Sequence, residues 1–198
     1  MVYHAIGIAG NSTAADLVFA SFQETAGNWH CEILASEHFP LSGEWEQSLR
    51  TAATADVPAF LRLHQAFGLH IGNLVNIFIS AHNLEYKVAV VGFCGFPVQT
   101  GETTFWLGNG AAVAAITALP VVTDFYGIDQ ALGGKVADPQ KLSSLLQSDP
   151  RMQVPDAPLL AGLMAVLRWR EAENTFASET GASANTVGGA MWLGQAAD

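Results

Sequence analysis

The chain has 198 residues, with 8 Lys and Arg against 18 Asp and Glu, a formal net charge of −10, 50% hydrophobic residues and 13% charged ones. So apolar a chain cannot be disordered, and its sparse charge predicts one large core with apolar surface left for a second copy of itself, a homodimer. The few basic residues form no patch that could neutralise a run of phosphates, which argues for no nucleic acid among its partners.

The start, Met1-Val2-Tyr3-His4, has neither a basic nor an apolar leader region. The longest uncharged apolar run, Leu159 to Leu167, is too short to span a bilayer, so a cytoplasmic protein with no membrane partner is expected. Three strands open the chain. Val2 to Ala9 ends at Gly10-Asn11-Ser12-Thr13, Asp16 to Phe22 ends at Ala26-Gly27-Asn28, and Trp29 to Ser36 alternates before Pro40. Ser42 is placed to cap a helix through about Thr54, and Asp56, with Pro58 just inside, to cap a longer one. Phe60, Phe67, Ile71, Leu74, Val75 and Phe78 recur there at helical spacing, a stripe that should lie on a sheet.

Val88 to Cys94 reads as a buried strand, Asn109 to Leu119 as a helix, and Val121-Val122-Thr123 as a second buried strand ended by Asp124. Phe93, Phe96, Phe105 and Trp106 fit either core or a contact surface. The predicted order is βββαβαβ, an α/β fold with a mixed sheet of about five strands whose parallel part needs right-handed crossovers. That order characterises the ribonuclease H-like half-domain from which sugar kinases, actin and heat-shock ATPases are built. Residues 1–139 form this core, 140–157 a linker with a short helix at Lys141 to Gln147, and 158–198 a closing helix to about Asn174 and a packed tail.

Three segments resemble the anhydro-N-acetylmuramic acid kinases, sugar kinases of the actin-like superfamily that act in peptidoglycan recycling. Leu107-Gly108-Asn109-Gly110-Ala111 runs on to Val121-Val122-Thr123-Asp124-Phe125, then Asp129, Gly133 and Gly134; Leu167-Arg168-Trp169-Arg170-Glu171 leads to Gly188-Gly189-Ala190. Ile6-Gly7-Ile8-Ala9-Gly10-Asn11-Ser12-Thr13 stands where that family has its first phosphate loop. Family members are much longer, so the resemblance implies a single actin-like lobe whose companion lobe is missing. It implies ATP with Mg²⁺ as cofactors, bound by Gly10, Asn11, Ser12 and Thr13. An amino sugar would be held by Gly108, Asn109, Gly110 and Asp129, and Asp124 would be the catalytic base for phosphorylation and ring opening.

Departures from the family point to lost catalysis. Tyr126 replaces an arginine, Val136 a glycine, Ala14-Ala15 an Asp-Gly pair, and Phe93-Cys94-Gly95-Phe96-Pro97 a polar strand end. The alternative to a degenerate kinase is a non-catalytic dimerising or partner-binding module. Asp124 could equally cap the next turn. No metal site is expected, since the six histidines show no i, i+4 pair and Cys31 and Cys94 stand far apart. Val2 to Ala9 also lacks the carboxylates that a ribonuclease H-type nuclease carries on its first strand.

Overall fold

The computed structural model describes residues 2–25, 28–100, 103–124, 158, 161–170 and 191–192. Strands β1 (Val2–Gly10) and β2 (Ala14–Thr25) pair antiparallel, with Val2 opposite Gln23 and Gly10 opposite Ala15. The turn between them is built by Asn11, whose Oδ1 accepts the N–H groups of Thr13 (2.8 Å) and Ala14 (3.0 Å) and the Thr13 hydroxyl (2.6 Å). Such a side-chain-closed turn is what Asn offers a chain that must reverse. Strand β3 (Asn28–Pro40) continues the meander along β2, with a register slip between Phe19 and Ala20.

Helix α1 (Gly43–Thr51) and a 3-10 turn, Ala52–Thr54, lead to α2 (Val57–His82). Asp56 caps α2 by accepting the Ala59 N–H at 2.7 Å, and Asn83, left-handed at φ 54°, ends it. Within α2 the helical stripe is buried at Phe67, Ile71, Leu74, Val75 and Phe78, while Phe60 is only partly covered. Strand β4 (Val90–Phe93) then runs parallel to β1. A separate hairpin, β5 (Phe96–Thr100) with β6 (Thr103–Leu107), precedes α3 (Gly110–Thr117) and β7 (Val121–Thr123), which lies parallel to β4. Residues 161–170 form helix α4, and β8 (Met191–Trp192) pairs antiparallel with β7.

The sheet order is β3-β2-β1-β4-β7-β8, a mixed α/β arrangement in which the first five strands follow the ribonuclease H-like order. The expected five strands are joined by β8 from the tail. The expectation for Phe96, Phe105 and Trp106 is refined: they lie on the hairpin, which the sequence reading did not contain. The linker 140–157, its helix at 141–147, Asp129, Tyr126, Val136 and most of the tail lie outside the described residues.

The twofold alternation of the strands sends neighbouring side chains to opposite faces. Ile6, Ile8, Leu17, Phe19, Val91, Phe93 and Val121 join the core under α2 and α3, whereas Ala5, Val18, Ala20, Phe22, Val90 and Val122 pack under α4. No described polar or charged residue is buried, so the core itself holds no chemistry. Helix α4 comes close because the strands beneath it carry glycine: a Cβ at Gly7 would overlap the Pro158 carbonyl oxygen, and one at Gly92 the Ala161 carbonyl oxygen. Arg170 on α4 pairs with Glu24 at 2.6 Å and lies 5.4 Å over the Tyr3 ring. No described helix is long and apolar enough to cross a membrane.

Candidate functional site

A cleft of about 400 Å³ opens where β4 and β7 end, between α2, the hairpin and the start of α3. In open α/β sheets ligands bind outside the carboxyl ends of parallel strands, because loops and helix N-termini converge there. Its lining includes His64 from α2, Cys94 and Gly95 after β4, Phe105 and Trp106 of β6, Asn109 before α3, and Thr123 and Asp124 after β7.

Each wall has a local cause. Asn109 caps α3 through its Oδ1, which accepts the Ala111 N–H at 2.9 Å, and its Nδ2 donates to Gln65 of α2. The His64 carbonyl accepts the Asn109 N–H at 3.0 Å, and His64 Nδ1 accepts the Gly108 N–H at 2.9 Å. One stretch of α2 thus holds the whole loop before α3. Gly110 lies so close to β7 that a Cβ would overlap Thr123 Cγ2. Asp124, exposed, follows β7 with φ 54°, a left-handed conformation that Asp tolerates better than most side chains.

Burial pushes His64 and His70 below the usual imidazole range, because the charged ring would lose solvation. The same effect drives the Cys94 thiol up to about 12 and also raises Cys31. Cys94 is therefore a packed wall of the cleft and no thiolate nucleophile near neutrality.

The sequence-predicted residues do not all meet. Gly108, Asn109, Gly110 and Asp124 share the cleft; Asp129 lies outside the described residues. Gly10 and Asn11 line a smaller, apolar pocket with Ile8, Ala15, Phe67 and Phe96, and Phe93 and Gly95 border both spaces. His64 was passed over in the sequence as one histidine among six. Only its later contacts with the loop 44 residues on reveal it.

The residues present do not fit ATP with Mg²⁺. No described Lys or Arg lines the cleft, and the Gly10–Thr13 turn spends the N–H groups of Thr13 and Ala14 on Asn11, leaving little positive dipole for phosphates. Among the described residues no group of three or more His, Cys, Asp or Glu could hold a metal ion.

No family model matches the chain, and no curated protein does. Among solved structures it is similar to Thermus thermophilus RuvC, with 18% identity over 92% of this chain and 98% of that one and a TM-score of 0.41. It is also similar to T. thermophilus RuvC in complex with a Holliday junction substrate, with 16% identity over 92% and 98% and a TM-score of 0.38. At such values the likeness transfers no activity to this chain.

These findings correct the sequence reading. The resemblance to anhydro-N-acetylmuramic acid kinases is withdrawn: no family model and no curated protein supports it, and the structures found similar are those of RuvC. With it go phosphoryl transfer and ring opening, ATP, the amino sugar and the partner-binding module derived from a kinase lobe, and the homodimer expected from sparse charge gains no support from a missing lobe. The exclusion of nucleic acid is withdrawn too: one of the similar structures holds DNA, and a count of basic residues is too coarse to decide the matter.

Proposed function

We propose that the chain is a small-molecule-binding α/β domain whose ligand sits in the cleft at the ends of β4 and β7. Asp124 accepts a hydrogen bond or a proton from it. The observation that carries this reading is Asp124 itself, a non-glycine residue in the left-handed region at the end of a parallel strand, on a cleft half lined by polar groups. Its place carries the weight, since ligands of open α/β sheets bind just beyond the carboxyl ends of parallel strands. Asn109 and Gly110 lie beside Thr123, and Phe105 and Trp106 add aromatic residues to the lining.

With Asp124 and no described cation in the lining, the part of the ligand in contact is uncharged or cationic. Asp124 suits a general base should the ligand be transformed, since a carboxylate beside an open cleft can take a proton directly. The test is a fragment screen read by amide NMR. Fragments of the right class shift the resonances of Gly108, Asn109 and Thr123, and Asp124→Asn weakens them. Hits that cluster elsewhere, or that ignore Asp124→Asn, refute the reading.

A further inference from the structure

We infer that His64 is the hydrogen-bond donor of the cleft, locked as the neutral Nε2–H tautomer, and that it selects a ligand presenting an acceptor oxygen. The inference rests on the reading of the cleft as a small-molecule site. Its first support is geometric. The Gly108 N–H can only donate, so the Nδ1 atom that receives it at 2.9 Å carries no proton, and in a neutral ring the proton must be on Nε2.

Charging the ring would put a proton on Nδ1, directly against that N–H, and would break the bond that fixes the loop before α3. Burial works in the same direction. The ring is wedged edge-on to Phe105, with centroids 5.4 Å apart, and its own backbone carbonyl ties down Asn109. Both the tautomer and the position are therefore set before any ligand arrives. No hydrogen bond to Nε2 is found among the described residues, although His64 lines the cleft. A half-buried N–H is costly to leave dry, so a ligand that excludes water from the cleft must supply an acceptor to it.

Asp124 on the same lining accepts while His64 donates. The fitting ligand is uncharged, with a carbonyl or similar oxygen for His64, a donor for Asp124, and an apolar part for the aromatic lining. A lactam is the simplest such group.

The probe is 2-pyrrolidinone, titrated into the uniformly ¹⁵N-labelled full chain while long-range ¹H–¹⁵N spectra record the imidazole nitrogens. Without probe, at about pH 8, His64 shows an unprotonated Nδ1 and a protonated Nε2. With probe, the Nε2 signal of His64 moves. His64→Gln, which retains a donor, binds the probe within about twofold of wild type, and His64→Phe loses about three- to tenfold, the worth of one neutral hydrogen bond. An Nδ1–H tautomer overturns the inference in the wild-type chain whatever the variants do. Should the probe shift Thr123 and Asn109 but not His64, His64 fails and the cleft stands. Should it shift none of them, both fail.

Discussion

The contact between Gly110 and Thr123 fixes the floor of the cleft and can be tested by a double-mutant cycle. A Cβ on Gly110 would overlap Thr123 Cγ2 and lie 3.1 Å from Oγ1 and 3.2 Å from Cβ. The methyl group must move out of the way, while Oγ1 and Cβ need give only by a few tenths of an ångström. Gly110→Ala removes a flexible residue from the first turn of α3, a gain of at most about 1 kcal/mol. Overpacking against a β-branched side chain whose χ1 is stiff costs about 1–3 kcal/mol, so the net expectation is a loss of about 1–2 kcal/mol. Thr123→Ser deletes the methyl group and costs up to about 0.8 kcal/mol, less because Thr123 is only partly buried. In the double variant the overlap with the methyl group is gone, and urea unfolding should recover about 1 kcal/mol relative to the sum of the single changes. Additive losses, or a Gly110→Ala variant as stable as wild type, would refute the close approach of α3 to β7.

Four further outcomes are expected. Asp124→Ala should be about 1 kcal/mol less stable than Asp124→Asn in thermal unfolding, since Asn tolerates the left-handed backbone and Ala does not; both should lose ligand binding. Stability should fall in acid through His64 and His70. Their folded values lie below the ordinary 6.5, so the neutral rings contribute fully above that pH, and the contribution is lost as pH drops through the lower folded values. Urea midpoints between about pH 8 and pH 5 will show whether His64→Gln flattens that fall. Iodoacetamide near pH 8 should leave Cys94 unlabelled until the chain unfolds, given a thiol pushed up to about 12; rapid labelling of the folded chain, read by peptide mass, would contradict its burial. Asp56→Ala should cost about 1 kcal/mol by removing the α2 cap, measured by chemical denaturation.

Local rules made much of the fold readable. The meander, the Asp56 cap, the α2 stripe and the β4-α3-β7 unit all follow from turn residues, capping chemistry and hydrophobic period, which act over a few neighbours. Strand ends were less legible. Strand β2 runs past Phe22 to Thr25, because pairing with β3 carries it beyond its apolar stretch. The hairpin was missed because Pro97 and the threonines mute its strand signal, although Gly101 sits between two runs with alternating large residues.

At the cleft, the family resemblance singled out Asp124 and the Gly108–Gly110 loop, and it coupled them to the Gly10–Thr13 turn. Phe93 and Gly95 instead stand between the turn's pocket and the cleft. His64 carried no local signal at all. Its role comes from a backbone N–H far along the chain, a relation that only the packing of α2 on the α3 loop creates.

The glycine seat of α4 also bears on how the chain comes into being. Ala5, Val18, Ala20, Val90 and Val122 wait for a helix encoded some 160 positions after the first of them, at 161–170. During synthesis that face of the sheet stays wet and sticky until the helix has left the ribosome, an interval in which nascent chains can clump. Gly7 and Gly92 leave room for the backbone of that late helix to lie directly on the strands, so its docking closes the face tightly once it arrives.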